Sequence, residues 1–232
     1  MIPGTAPTVP SPGRVDLHGH SAATLYEAAV ATLRDLPAGD RELAHPAGQA
    51  VAVDPEIRAA WSGARVAGPA FTVQGAGGDN LALHRAVYAA PAGSVLVADL
   101  NGARFGHWGE VLAVAAQSRN LAGLVIDGGV RDTEEMRELG FPVFSRNNCV
   151  RGTRKLFRGA LGTDVEVGGV LVRRGDTVVG DADGLVVLAA EIAARVVEAA
   201  DERVRQEQEI IHSLRAGKTT LDLYRLDGHP HA

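Results

Sequence analysis

The sequence predicts an α/β protein with a mixed sheet, flanking helices and a long C-terminal helix. Strand-like and helix-like segments alternate from residue 65 to residue 144, as expected for parallel βαβ units. Short apolar strands separated by Gly-Asp and Asp-Gly turns fill residues 165–188, which makes the predicted sheet mixed. A charged helical pattern then covers residues 189–214, longer than one small domain needs. We therefore expect its end to pack on a neighbouring subunit.

The N-terminal quarter is predicted to hold one helix between two irregular segments. Residues 1–14 carry four prolines and two glycines, which is typical of a mobile arm. Apolar residues recur at helical spacing over residues 22–36, and Ser21 is placed to cap that helix. Residues 37–63 mix turn formers with charges and are predicted to be irregular. We expect a single domain over residues 15–232.

The central elements follow from the same periodicities. In chain order they are a strand ending at Phe71-Thr72-Val73, a helix at 79–90, a strand at 94–98, a helix at about 109–119, a strand at 123–126, a turn at 127–130, a helix at 133–139 and a strand at 142–144. The strand at 123–126, which leads into the turn, is predicted to be buried.

Composition restricts the classes of function. The chain has 232 residues, is 46% hydrophobic and carries a formal charge of −5 without a long run of Lys or Arg, so we expect no nucleic-acid partner. No apolar run reaches the roughly 20 residues that a membrane span requires. The single cysteine, Cys149, cannot form an internal disulfide, and the N-terminus lacks the pattern of a signal peptide. These features predict a cytoplasmic protein.

One set of charged residues is placed to form a site. Glu110 opens a predicted helix, while Arg131 and Asp132 follow a buried strand and the pair Gly128-Gly129. A carboxylate suits a hard divalent cation, a guanidinium suits a small 2-oxo acid, and amides at a helix start suit an anionic oxygen. The alternative is structural: Glu110 favours the positive end of its helix, Asp132 caps the next helix, and Arg131 pairs with either.

Other motifs favour a structural role. The segment Gly75-Ala76-Gly77-Gly78, with Asp99 downstream, partly matches a nucleotide-binding turn, but a tight βα turn explains it better. His107 and Trp108 could line the mouth of the site, although packing is the more common role for such residues. Cys149 is expected to be an inert, partly buried thiol. The terminal histidines lack the spacing of metal ligands; they are His18, His20, His229 and His231.

Several motifs between residues 68 and 188 together resemble the RraA-like family, and within it the class II pyruvate aldolases that cleave 4-hydroxy-4-methyl-2-oxoglutarate. The matching segments are Gly-Pro-Ala-Phe-Thr-Val (68–73), Gly-Asp-Asn-Leu (78–81), Trp-Gly-Glu-Val-Leu (108–112), Gly-Leu-Val-Ile-Asp-Gly-Gly-Val-Arg-Asp (123–132), Phe-Pro-Val-Phe (141–144) and Gly-Asp-Ala-Asp-Gly-Leu-Val-Val (180–187). The resemblance covers a little over half of the chain.

The resemblance implies a swivelling β/β/α domain that assembles as a trimer or hexamer, with active sites between subunits. In the aldolases the pyruvyl group is held by an arginine matching Arg131 and by backbone amides matching Gly109, Glu110, Val111 and Leu112. The aspartate matching Asp132 binds Mg²⁺ or Mn²⁺ directly, and the carboxylate matching Glu110 binds through water.

A further carboxylate of these aldolases comes from the C-terminal helix of the neighbouring subunit. Its nearest match in this sequence is Glu207, which would also act through water, and Glu209 is the second choice. The sequence departs from the family in residues 37–63 and in the turn at 173–176, where Arg-Arg-Gly-Asp replaces a common proline-containing turn. These departures leave the substrate beyond its pyruvyl end open.

The resemblance therefore implies a metal-dependent lyase that releases pyruvate from a 4-hydroxy-2-oxo acid, with oxaloacetate decarboxylation as a side activity. The alternative is a non-catalytic RraA-type regulator that binds a ribonuclease. Such regulators typically lack the metal-binding aspartate, whereas Asp132 is present here. Methyl transfer on a quinone is a third hypothesis, and the partial glycine motif at 75–78 is its only support.

Overall fold

The computed structural model describes residues 16–17, 19–37, 39 and 51–226. The predicted arm at residues 1–14 lies outside this part, as do residues 40–50 and three of the four terminal histidines. Within the described part, none of the helices has both the length and the apolar character needed to span a membrane.

Helices and strands alternate through the middle of the chain, as predicted. The helices are α1 (Ala22–Asp35), α2 (Leu81–Ala89), α3 (Glu110–Ser118), α4 (Thr133–Leu139), α5 (Ala193–Arg215) and α6 (Thr220–Tyr224). The strands are β1 (Arg58–Ala59), β2 (Val66–Gln74), β3 (Val95–Trp108), β4 (Gly123–Val130), β5 (Val143–Asn148), β6 (Ala160–Leu161), β7 (Val165–Val167), β8 (Val170–Val172), β9 (Thr177–Asp181) and β10 (Gly184–Leu188).

The main sheet is mixed, which confirms the predicted fold class. Its strand order is β1-β5-β4-β3-β2-β9-β10, and β6 pairs with β2 outside this path. Strands β2, β3, β4 and β5 are parallel neighbours. Strands β1, β6, β9 and β10 pair antiparallel. Strands β7 and β8 form a separate hairpin.

The sheet separates a layer of helices from the β7–β8 hairpin. On β3, Leu96 and Ala98 belong to the core shared with α2, α3 and α4. Their neighbours Val95 and Val97 belong to the core shared with the hairpin, because successive side chains of a strand point to opposite faces. A third core joins α1 and α5 to the end of the sheet formed by β9 and β10.

The first helix confirms its predicted cap, whereas the last long helix begins later than predicted. The hydroxyl of Ser21 accepts a hydrogen bond from the amide of Thr24 at 3.2 Å. Helix α5 starts at Ala193 rather than residue 189, because the chain first makes a turn in which the amide of Ile192 bonds to the carbonyl of Ala189. The buried residues of α5 end at Ala200, so more than half of it projects beyond the core. Its packing on a neighbouring subunit stays a prediction.

Strands β3, β4 and β5 are longer than predicted at their carboxyl ends. The sequence predicted strands ending at residues 98, 126 and 144, with a turn at 127–130, but the strands continue to Trp108, Val130 and Asn148. Strand β3 contains irregular register shifts and the positive φ angles of Asn101 (53°) and Gly102 (66°), which interrupt its apolar pattern. The Gly128-Gly129 pair predicts a turn because glycine is rare within strands, but both residues lie inside β4.

Glycine is needed inside β4 because neighbouring atoms come close. A Cβ at Gly129 would lie 2.4 Å from Oδ1 of Asn147 and 2.6 Å from the carbonyl oxygen of Phe105. Strands β3, β4 and β5 therefore pack closely as far as their carboxyl ends, and Arg131 and Asp132 follow the end of β4.

Asp176 gives the fold a pH dependence. This buried carboxyl accepts hydrogen bonds from the amides of Arg173 and Ala190, yet burial raises its pKa to about 6. The folded state therefore binds the proton more tightly than the unfolded chain, whose aspartate pKa is about 3.9. The ionised form costs stability, and this cost is relieved as the pH falls from about 6 towards 4.

We expect Asp176→Asn to gain stability relative to the wild type as the pH rises from 4 to 7. The shift of about two pKa units corresponds to up to about 3 kcal/mol in the difference between the two unfolding free energies. Urea unfolding at both pH values measures it, and Asp164→Asn, at an exposed carboxylate, is the control. An Asp176→Asn difference that is independent of pH would contradict the assignment.

Candidate active site

The candidate residues lie where β3 and β4 end side by side. Trp108 pairs with Val130 in the last register position of these parallel strands, and the amide of Arg131 donates to the carbonyl of Trp108 at 2.9 Å. Glu110 therefore begins α3 directly beside Arg131 and Asp132. Ligand sites of open α/β sheets gather at this edge.

Asp132 holds an unusual backbone conformation and a specific contact. Its φ of 54° lies in the left-handed region, which costs energy for a residue other than glycine. Its Oδ2 accepts a hydrogen bond from the amide of Glu110 at 3.2 Å and lies 3.5 Å from Nε of Arg131. Asp132 occupies the N-cap position of α4 without a side-chain hydrogen bond to that helix. The alternative interpretation of Asp132 as the cap of its own helix therefore holds for its position but not for its carboxylate, which bonds to the start of α3 instead.

Gly109 leaves the space that this contact requires. A Cβ at Gly109 would lie 2.2 Å from Oδ2 of Asp132 and 3.1 Å from Cγ of Arg131. Any larger residue at this position would push the carboxylate away from the start of α3. The glycine is thus needed for the site rather than for a turn, since its φ of −161° is ordinary extended backbone.

The start of α3 offers amide donors beside the two charged side chains. The amides of Val111 and Leu112, in the first turn of α3, have no acceptor within the helix. The amide of Glu110 is directed at Asp132. Side chains of Arg131 and Asp132 are 47% and 37% exposed, so a small anion can reach them from solvent. The arrangement can bind an anionic oxygen next to a guanidinium and a carboxylate.

An open cleft of about 460 Å³ contains Arg131 and Asp132. Its lining residues are Val130, Arg131, Asp132, Thr133, Asn148, Cys149 and Val150. The contribution of residues 148–150 was not predicted. The available signal was the parallel strand order, because the carboxyl end of β5 must reach the same edge of the sheet as the end of β4.

Cys149 lines this cleft. Its amide donates to the carbonyl of Val130 at 2.8 Å, and its Sγ lies 3.1 Å from the carbonyl oxygen of Arg104. The predicted partial burial is confirmed. Its position in the cleft was not predicted.

Glu207 lies away from this cleft within the same chain. It is on the outer part of α5, where its Oε1 forms an ion pair with Nε of Arg203 at 3.0 Å. Its contribution to a neighbouring subunit's site, and that of Glu209, stay predictions. Glu110 carries an exposed side chain at the first position of α3, beside the cleft.

The interpretation of His107 and Trp108 as packing residues is confirmed, because both are fully buried. The glycine segment 75–78 forms the turn between β2 and α2, where the amide of Gly75 donates to the carbonyl of Asp99 at 2.9 Å. Oδ1 of Asp99 accepts from the amide of Asn101 at 2.8 Å instead of facing that turn. Both features support the predicted tight βα turn.

An ion-pair network fixes β5 beside β4. Arg146 donates to both carboxylate oxygens of Asp127, at 2.6 and 3.1 Å, and to Oδ2 of Asp54 at 3.0 Å. The hydrogen bonds to Asp127 and Asp54 raise the pKa of Arg146 well above its ordinary value. The pKa of Asp54 is lowered by the Glu56 amide and by Arg146. Asp127 is thus a structural residue, and the network holds the two strands whose ends line the cleft.

The described residues contain no group of three or more His, Cys, Asp or Glu side chains that would form a metal cage. Asp132 offers oxygen ligands in an accessible cleft. Mg²⁺ commonly binds through one or two carboxylates and keeps several waters, and Mn²⁺ accepts the same oxygen donors. The donor set therefore fits a cation that is held mainly by Asp132 and water.

Comparison with known proteins identifies relatives over most of the described chain. A family model described as RraA-like, Aldolase/RraA, matches residues 23–187. A protein of Halalkalibacterium halodurans is 36% identical over 145 residues, which are 62% of this chain and 69% of the relative. A protein of Deinococcus radiodurans is 35% identical over 158 residues, which are 67% of this chain and 96% of the relative. Both carry the name "Putative 4-hydroxy-4-methyl-2-oxoglutarate aldolase".

A solved structure agrees with the fold and carries a different function in its description. Streptomyces coelicolor RraAS2, described as an unusual member of the RNase ES inhibitor RraA protein family, is 29% identical with a TM-score of 0.69. The similarity covers 85% of this chain and 95% of that structure. The relatives thus include proteins named as enzymes and a protein named as a member of an inhibitor family.

Proposed function

The chain belongs to the RraA-like (Aldolase/RraA) family, and from this premise we propose that it is a class II, metal-dependent carbon–carbon lyase. Its substrate would be a 4-hydroxy-2-oxo acid such as 4-hydroxy-4-methyl-2-oxoglutarate, and its product pyruvate. The observation that carries the proposal is the contact between Oδ2 of Asp132 and the amide of Glu110 at 3.2 Å, with Arg131 alongside. It brings the start of α3 next to the carboxylate and the guanidinium that line an accessible cleft.

The substrate's pyruvyl end would be held by Arg131 and the start of α3. The guanidinium pairs with the C1 carboxylate, and the free amides of Val111 and Leu112 are available to an anionic oxygen. The site amides predicted for residues 109–112 include that of Glu110, which bonds to Asp132.

Asp132 would hold Mg²⁺ or Mn²⁺ directly, while Glu110, and Glu207 from a neighbouring subunit, would act through water. When bound, the cation supplies positive charge next to the C2 oxygen of the substrate. Arg131 adds a fixed positive charge at the same end. Together these charges favour the transition state, in which negative charge develops on that oxygen.

The proposed reaction breaks the bond between C3 and C4. The C4 hydroxyl loses its proton and becomes a carbonyl, and the bonding electron pair passes to the pyruvyl fragment as an enolate, which is then protonated at C3. Glu110 orients the acceptor of the hydroxyl proton. From 4-hydroxy-4-methyl-2-oxoglutarate both products are pyruvate. Oxaloacetate would give the same enolate by loss of CO₂ from C3, so we propose its decarboxylation as a side activity.

Pyruvate release by the purified protein tests this proposal. The two compounds are supplied with Mg²⁺, Mn²⁺ or EDTA, and pyruvate is measured with lactate dehydrogenase. We expect metal-dependent release from both. Absence of pyruvate from both compounds, with a folded and metal-supplied protein, would contradict it.

The second candidate is a regulator that binds a ribonuclease, which the description of the Streptomyces coelicolor relative favours. Such a role needs neither Asp132 nor a metal. Recovery of a ribonuclease on the immobilised protein, combined with no metal binding and no pyruvate release, would favour it over the lyase.

The space at Gly109 leads to a specific prediction for the lyase. Gly109→Ala places a Cβ 2.2 Å from Oδ2 of Asp132, so that carboxylate must move. A displacement of about 1 Å can cost about 100-fold in rate, and we expect a loss of that order in kcat/KM for pyruvate release. The matched control is Gly152→Ala, where a Cβ meets nothing within 4 Å. Equal activity of the two variants would show that the contact is not needed.

A further inference from the structure

His107 is buried between the segments that carry the two halves of the candidate site. Its side chain has no exposure to solvent. It is the penultimate residue of β3, two positions before Gly109. Its ring faces the end of β4, where a Cβ at Gly128 would lie 3.5 Å from Nδ1. Phe105 contacts the ring edge with centroids 5.9 Å apart.

Both ring nitrogens of His107 have backbone partners. The amide of Gly78 donates to Nε2 at 2.9 Å, so Nε2 carries no proton. Nδ1 therefore carries the proton of the neutral ring and donates it to the carbonyl of Gly129 at 3.3 Å. Burial lowers the pKa of the imidazole, which agrees with this neutral form. The hydrogen-bond pattern thus fixes a single tautomer.

These bonds join three segments at the edge of the sheet. The Nδ1 bond ties the end of β3 to Gly129, which is two residues before Arg131. The Nε2 bond ties the same ring to the turn between β2 and α2. Asn80 from that turn also donates to the carbonyl oxygen of His107 at 3.0 Å. The register of β3 and β4 is irregular just before this point, so the ladder alone constrains their ends weakly.

We infer that His107 is a positioning residue for the proposed lyase reaction, setting the spacing between Glu110 and the Arg131-Asp132 pair through its Nδ1 bond to Gly129. This inference rests on the proposed function. His107 does not touch the substrate; it acts through the backbone of β4. The hydrogen bond from the amide of Arg131 to the carbonyl of Trp108 holds the same two strands together one residue further along the chain.

Three substitutions distinguish the effects of the two hydrogen bonds that the His107 ring makes. In His107→Asn the side-chain amide nitrogen can take the place of Nδ1 and keep the bond to Gly129. In His107→Gln the longer side chain can reach the Gly78 amide in place of Nε2. His107→Phe keeps an aromatic ring of similar size and loses both bonds. Each protein is measured as the full chain with Mn²⁺, for kcat and KM of pyruvate release and for its thermal unfolding midpoint.

We expect His107→Phe and His107→Gln to lower kcat by about 10- to 100-fold, and His107→Asn to stay within about threefold of the wild type. A purely structural role would instead make kcat of the folded protein independent of the variant and change only the unfolding midpoint. Full activity in His107→Phe would overturn the inference. Equal losses in the Asn and Phe variants would overturn the assignment to the Gly129 bond.

A second measurement separates this inference from the proposed function. The NMR signals of the Arg131 guanidinium and the Glu110 amide respond to a change in the distance between Glu110 and the Arg131-Asp132 pair, and they do not depend on turnover. We expect both to shift in His107→Phe and to keep their wild-type positions in His107→Asn. If the wild type releases no pyruvate, the proposed function fails while these shifts still test the spacing. Unchanged signals in His107→Phe would contradict the positioning role even in an active enzyme.

Discussion

Asp132→Asn is expected to abolish metal-dependent pyruvate release, with a fall in kcat/KM of roughly 1000-fold or more. Asp132 is the one side chain proposed to bind the cation directly, and the charge that a cation supplies to such a transition state is worth several kcal/mol. The variant keeps the size of the side chain and an oxygen that can accept from the Glu110 amide. We therefore expect the fold to be retained.

Metal affinity and a matched control make the Asp132 result specific. Mn²⁺ binding, followed by calorimetry, should weaken together with activity in Asp132→Asn. Glu134→Gln removes an exposed carboxylate of the adjacent helix that pairs with Arg137 at 2.9 Å, and it should change neither quantity. Undiminished Mn²⁺ affinity in Asp132→Asn would show that the metal binds elsewhere.

Arg131→Ala is expected to lower kcat/KM by about 30- to 1000-fold, which corresponds to about 2 to 4 kcal/mol. The guanidinium is proposed to hold the C1 carboxylate and to oppose the charge that develops on the C2 oxygen. Arg131→Lys should recover only part of the loss, because an ammonium group lacks the planar pair of donors. Oxaloacetate and the hydroxy acid should respond alike, since they share the pyruvyl end.

Arg137→Ala is the control for Arg131, because this arginine is half exposed on α4 and pairs with Glu134. It should leave pyruvate release unchanged. If Arg131→Ala keeps oxaloacetate turnover within a few-fold of the wild type, the role proposed for Arg131 is wrong.

The sequence predicted the central elements of the fold because local periodicity determines them. The helices beginning at Glu110 and Thr133 have the apolar spacing, charge pattern and flanking strands that identify them, and both match the structure within about a residue. The ends of β3 and β4 were not predicted. Their glycines and irregular register are set by close contacts with other strands, such as that between Gly129 and Asn147, which no local pattern encodes.

The candidate site was predictable in its residue types but not in its contacts. Arg131 and Asp132 stand out because they follow a buried strand, and Glu110 because it opens a helix. Their contact depends on the parallel pairing of β3 with β4 and on the left-handed backbone of Asp132. The bond between His107 and Gly129 and the position of Cys149 in the cleft depend on the same tertiary arrangement.

We propose that one cleft holds the cation and the keto acid together. Calorimetric binding of pyruvate to the wild-type protein, with Mn²⁺ and with EDTA, is the sharpest test. We expect Mn²⁺ to strengthen pyruvate binding and pyruvate to strengthen Mn²⁺ binding by the same factor, because coupling between two ligands is reciprocal. Pyruvate that binds equally well in EDTA would contradict a shared site.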